Sequence, residues 1–87
     1  MTALSAAEAA YETAEAAFLA GLRQDVVRAT QAQLASEVAS AANVWNRVAY
    51  ETLHSASDSE RENLDLLTER TEVLNELWAD VRDALMA

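Results

Sequence analysis

The chain has 87 residues, which is near the lower size limit at which one hydrophobic core holds a fold without disulfides or metals. It contains no Cys, so disulfides and thiolate metal sites are excluded and a reducing cytoplasm is the expected compartment. Its formal net charge of −9 repels polyanions, so nucleic acid and anionic membranes are not expected partners. No stretch approaches the ~20 apolar residues that cross a bilayer.

The composition indicates helices throughout. Pro is absent, Gly occurs once, and Ala, Leu and Glu are the most abundant residues. These residues favour helices over sheets, so we expect a single all-α domain over residues 1–87.

The first predicted helix covers about residues 5–20. Ser5 and Glu8 have the spacing of a capping box, in which two side chains satisfy free N–H groups at a helix start. Apolar or small residues then recur in steps of three and four, at Leu4, Ala7, Tyr11, Ala14 and Phe18. Gly21 either ends this helix as a C-cap or marks a bend between the first two helices.

The second predicted helix covers about residues 23–54. Its series of inward positions consists of Val27, Gln31, Leu34, Val38, Ala41, Trp45, Val48 and Thr52. The polar stretch at residues 55–59 favours a turn after it.

The third predicted helix covers about residues 58–86. Ser57 and Glu60 offer a second capping box. The inward series then runs through Leu64, Leu67, Thr71, Leu74, Trp78, Val81 and Leu85. This regular rhythm makes helix 3 the best-defined element of the sequence.

The phases of the three series predict how the helices pair. If helices 2 and 3 form a long antiparallel hairpin, facing residues have numbers that sum to about 112, as for Val48 and Leu64. A sum of about 45 pairs helix 1 with helix 2, setting Tyr11 beside Leu34 and Phe18 beside Val27. The expected fold is therefore an up-down-up three-helix bundle with one short and two long helices, whose hairpin extends past helix 1 by roughly 20 Å.

This extension predicts an interaction surface at the tip of the hairpin. Only two helices would cover its apolar residues, which are Trp45, Val48, Tyr50, Leu53, Leu64, Leu66 and Leu67. We therefore expect a small protein–protein interaction module with a structural or adaptor role. Its first expected partner is itself, as a homodimer or a larger helical bundle.

An acidic face on helix 3 favours an alternative function. It comprises Glu62, Asp65, Glu69, Glu72, Glu76, Asp80 and Asp83. Such a face can block a basic site on a target protein, as a phage- or plasmid-type inhibitor, antitoxin or immunity protein would. The simpler interpretation is a solvated helix face that keeps the protein soluble.

No set of residues indicates catalysis. The chain lacks Cys, Lys and a Gly-rich phosphate loop, and it has one His. Glu51 and His54 form a Glu-x-x-His pair of the kind that binds iron in helical bundles, but they lie at the end of helix 2. We therefore predict no enzymatic activity, no cofactor and no metal.

Overall fold

The protein folds into three α-helices. The computed structural model describes residues 2–87, and no strand occurs among them. The helices are α1 (Ala3–Arg23), α2 (Arg28–His54) and α3 (Asp58–Met86), which confirms the all-α three-helix prediction. The predicted domain also includes Met1, which lies outside the described residues. Within residues 2–87, no helix combines the length and apolarity that a membrane crossing requires.

The first helix starts earlier than predicted. Its N-cap is Thr2, whose hydroxyl accepts a hydrogen bond from the Ser5 backbone N–H at 3.1 Å. The Ser5 hydroxyl in turn accepts a bond from the Thr2 backbone N–H at 3.1 Å. The capping box therefore joins Thr2 to Ser5, and the predicted pair of Ser5 and Glu8 is wrong.

The end of α1 is also different, because Gly21 lies inside the helix and is not its cap. The left-handed residue is Asp25, with a φ of 54°. The Val26 N–H donates to the Gly21 carbonyl at 3.2 Å, and the Asp25 N–H donates to the Leu22 carbonyl at 3.4 Å. This pair of bonds is a Schellman motif, which ends the helix after Arg23.

Gly21 instead permits a close approach of α2. A Cβ atom at this position would lie 2.5 Å from Gln31 Oε1 and 2.8 Å from Leu34 Cδ1. Both distances are too short for non-bonded contact, so a larger residue at this position would force the ends of the Gln31 and Leu34 side chains to move.

The longer α1 shifts its register against α2, and the predicted pairing is wrong. The Tyr11 ring contacts Trp45 with ring centroids 5.1 Å apart, and Gln31 Nε2 donates to the Phe18 carbonyl at 2.9 Å. Tyr11 was expected beside Leu34. Because the connection falls at residues 24–27, three or more positions later than assumed, α1 reaches further along the hairpin.

The difference in length between α1 and the other two helices is therefore smaller than predicted. With 21, 27 and 29 residues, the helices are about 32, 41 and 44 Å long. The hairpin therefore exceeds α1 by about 10 Å, and the predicted difference of roughly 20 Å is wrong.

Polar contacts between α2 and α3 lie at or above the predicted sum of 112. The Arg28 guanidinium donates to the carbonyls of Ala84 and Leu85, each at 2.8 Å. Further along α2, Asn46 Nδ2 donates to the Thr68 carbonyl at 3.3 Å. These pairs have residue numbers that sum to 112–114. Asn46 Nδ2 also donates to the Thr71 hydroxyl at 2.9 Å, and the Tyr50 hydroxyl donates to Glu72; these pairs sum to 117 and 122, so the contacts drift from the predicted register toward the hairpin turn. At the start of α3, Ser57 is the N-cap but makes no side-chain capping bond, so the predicted capping box is not formed.

Aromatic side chains connect α1 to α3. Tyr11, Phe18, Trp45 and Trp78 are all buried. Phe18 meets Trp78 edge-to-face with centroids 4.9 Å apart, and Trp78 Nε1 donates to the Tyr11 hydroxyl at 2.9 Å. No Cα atom of α1 lies within 8 Å of one in α3, so the large rings span this gap. The molecule is correspondingly flat, measuring 47 × 25 × 15 Å.

Candidate protein-interaction surface

The predicted hairpin tip is mostly covered by the chain itself. Trp45 and Leu64 are buried, Val48, Leu53 and Leu67 are half-buried, and Tyr50 and Leu66 are exposed. The expectation that the tip lacks cover is therefore wrong for Trp45 and Leu64. The reason is the longer α1: its first turn, with Leu4, lines a groove of about 410 Å³ together with Thr52 and Leu64.

A different apolar surface lies on the outside of α3. Leu66, Val73 and Leu77 are 60%, 63% and 50% exposed, respectively. Their spacing of seven and four residues places them on one line along the helix, and we call these three residues the outer stripe. Exposed apolar residues are common singly, whereas these three form a line along one helix.

Sequence reasoning identified only Leu66 of the outer stripe. Val73 and Leu77 were missed because each directly precedes a residue of the inward series, Leu74 and Trp78. The signal was nonetheless present. The spacing of seven and four residues repeats that of the inward series, displaced to a neighbouring face of the helix.

The predicted acidic face is a real surface feature. All seven of its carboxylate residues are exposed, and they lie on the side of α3 that faces away from the core. The Tyr50 hydroxyl donates to Glu72 Oε2 at 3.2 Å. The negative charge of Glu72, and to a lesser degree the Glu69 and Asp65 charges, raise the pKa of the Tyr50 phenol above its usual value. The acidic face borders the outer stripe.

One cation interrupts this side of α3. Arg70 lies between Leu66 and Val73, and its guanidinium carbon sits 5.8 Å from the centre of the Trp45 ring. The ion pairs of residues 2–87 join Arg47 to Glu51, Arg61 to Asp58 and Arg82 to Asp83. Within that range, Arg70 and Asp80 therefore have no partner of opposite charge.

The Glu51 and His54 pair has the surroundings of an ordinary surface. Glu51 Oε1 lies 3.9 Å from Arg47 Nε, and His54 is the exposed last residue of α2. The part of the chain that the structure describes brings together no three His, Cys, Asp or Glu side chains around a common point. The pair therefore supplies at most two ligands from one chain.

The inward side of the helices holds a small polar network. The Tyr11 hydroxyl accepts from Trp78 Nε1 and donates to Glu15 Oε2 at 2.9 Å. Burial raises the pKa of the Tyr11 phenol, and the Glu15 carboxylate adds to this rise. Both donors of the network find acceptors, so these polar atoms are part of the packing of the core.

No protein-family model matches the chain, and no curated protein or solved structure is significantly similar to it. Function therefore has to be inferred from the chain's own surfaces. The two that stand out are the outer stripe and the acidic face beside it.

Proposed function

We propose that this chain is a non-enzymatic protein–protein interaction module that associates with itself through the outer stripe of α3. The observation that carries the proposal is the exposure of Leu66, Val73 and Leu77, each half or more, on one line of a regular helix. In the proposed assembly, the up-down-up helices of two copies form one larger helical bundle. The role is structural or that of an adaptor.

The expected strength of association is modest. Removing the remaining exposed area of one such side chain from water contributes about 1–1.5 kcal/mol, so six side chains from two copies contribute about 6–9 kcal/mol. Loss of translational and rotational freedom opposes this by at least about 4 kcal/mol. We therefore expect a reversible dimer whose population depends on protein concentration.

The test is the molar mass in solution, measured by sedimentation equilibrium over a hundredfold range of concentration. We expect the wild-type mass to rise from 9.5 kDa toward twice that value. The double variant Val73→Glu/Leu77→Glu should remain monomeric because it places charges in the stripe. Val27→Glu is the matched control, since Val27 is 70% exposed and is the N-cap of α2, outside α3. A wild-type protein that stays monomeric throughout would exclude self-association.

The exposed acidic face supports a second candidate function, the inhibition of a protein that presents a basic site. Seven carboxylates on one helix attract such a partner, and added salt weakens the attraction. The test is capture of arginine-rich proteins at two salt concentrations. Replacing Glu69, Glu72 and Glu76 by Gln should abolish capture and leave the helical circular dichroism unchanged. Capture that ignored both salt and these substitutions would exclude this function.

A further inference from the structure

The outer stripe belongs to a longer line of exposed residues on α3. This line, which we call the outer seam, comprises Leu66, Arg70, Val73, Leu77, Asp80 and Ala84. All six residues are exposed, and they alternate in steps of four and three, which is the spacing of a coiled-coil contact line. The outer seam covers about 27 Å of helix.

We infer that the outer seam of α3 pairs antiparallel with the same seam of a second copy, about a two-fold axis level with residue 75, so that Arg70 faces Asp80 of the partner subunit. The inference rests on the proposed self-association and adds its orientation and register. A two-fold axis at this level makes facing residues sum to 150.

The residues of the outer seam fit this register in every layer. Val73 faces Leu77 of the partner subunit, and the symmetry repeats this apolar contact on the other side of the axis. Leu66 faces Ala84 of the partner subunit, so a large side chain meets a small one at each end. Arg70, the cation of the outer seam, faces Asp80 of the partner subunit, and the two-fold axis repeats this pair. Each pair lies between two apolar layers.

The charges select this arrangement over the others. A parallel pair would place Arg70 against Arg70 of the partner subunit and Asp80 against Asp80, and like charges in contact are repulsive. A shift of the antiparallel pair by seven residues would place Arg70 against Val73 of the partner subunit or beyond the end of the helix. Arg70 and Asp80 have no ion-pair partner within residues 2–87. The Arg70 guanidinium lies over the Trp45 ring in the single chain and turns outward to meet Asp80 of the partner subunit.

Carboxylates beside the outer seam oppose the pairing and give it a distinctive salt response. Glu69, Glu76 and Asp83 line one edge of the seam, where Glu76 comes near Glu76 of the partner subunit. Each copy also has a net charge of −9. Because salt screens these repulsions, self-association should strengthen as salt is raised. Binding of a basic partner to the acidic face should weaken instead.

A charge exchange tests the register. Arg70→Asp places two like-charged pairs in the interface, and so does Asp80→Arg, so each should weaken dimerisation by about tenfold or more. The double variant Arg70→Asp/Asp80→Arg restores opposite charges and should recover the wild-type dissociation constant to within a few-fold. It also lacks the Arg70 contact with Trp45, so loss of that contact cannot explain a recovery. A double variant as weak as either single variant would overturn the register.

Spin labels test the orientation independently, because the chain has no Cys and accepts one label at a time. Asp58→Cys and Asp65→Cys place labels seven residues apart on α3, away from the outer seam. In the antiparallel pair, the distance between identical labels should differ by about 21 Å between the two variants. In a parallel pair the two distances would be equal. Equal distances in a protein that does dimerise would overturn this inference alone, whereas a persistent monomer would overturn the proposed function as well.

Discussion

Two adjacent residues of α3 show how differently its two sides are used. Trp78 points inward, is 7% exposed, and has its ring and its N–H in contact with α1. Leu77, one position earlier, is 50% exposed and is not part of the hydrophobic core. Both lie on lines of three- and four-residue spacing. The inner line finds its partners within the chain, and the outer line does not.

Periodicity therefore identifies an apolar line on a helix but not the molecule that covers it. A helix in a two-layer or three-helix fold needs one apolar line, and α3 has two. In the proposed dimer, the second line is the one that a second copy covers. Substitutions on the two lines should therefore affect different measurements, stability for the inner line and association for the outer line.

The largest expected effect is that of Trp78→Ala. The side chain is buried against Phe18 and supplies the hydrogen bond to Tyr11, so its removal leaves a large cavity. We expect the free energy of unfolding to fall by about 3–5 kcal/mol. The measurement is urea denaturation at a protein concentration low enough to keep the chain monomeric. A loss below about 1 kcal/mol would show that the inner line is less tightly packed than the structure has it.

A smaller effect is expected for Tyr11→Phe, which removes one oxygen from the core. Trp78 Nε1 then has no acceptor, and a buried unsatisfied donor costs about 1–3 kcal/mol. The matched control is Tyr50→Phe, because the Tyr50 hydroxyl bonds Glu72 on the exposed acidic face. Its removal should change the free energy of unfolding by less than about 0.5 kcal/mol. Equal losses in the two variants would remove the distinction between the buried and the exposed hydroxyl.

The sequence predicted the inner line better than the connection between α1 and α2. The inner line has a spacing that places its residues on one side of a helix, and that side is buried at Leu64, Thr71 and Trp78. The bounds of α3 also agree with the prediction. At the other end, the sequence offers Gly21 as a helix cap or as a bend, because glycine most often occupies the left-handed position and is a poor helix former. Asp25 adopts that conformation here, and Gly21 lies against the side chains of Gln31 and Leu34. This close approach is a property of the packed structure and leaves no local signal in the sequence.

The wrong end predicted for helix 1 also explains why the hairpin tip was predicted to be uncovered. A helix that ends near residue 20 leaves the hairpin tip uncovered, whereas α1 ends at Arg23 after beginning at Ala3 and so covers Trp45 and Leu64. The register of α1 against α2 depends on the length of the connection, which local spacing does not determine. The exposure of the acidic face could be predicted without this register, because the helical phase of α3 alone determines which of its sides faces solvent.

Leu77→Gln should change the stability of the single chain least of these variants. It tests most directly whether Leu77 is covered by a second copy or by its own chain. Glutamine forms helices about as well as leucine, and Leu77 is half exposed in a single chain, so unfolding of the monomer should change by less than about 0.5 kcal/mol. At concentrations where the dimer forms, the same variant should lose additional stability, because dimerisation stabilises the folded state by mass action. Denaturation midpoints for wild type and variant should therefore coincide in dilute solution and separate as concentration rises. Midpoints that remain together at every concentration would show that Leu77 has no partner in a second copy, and midpoints that differ equally at all concentrations would place Leu77 in the core of its own chain.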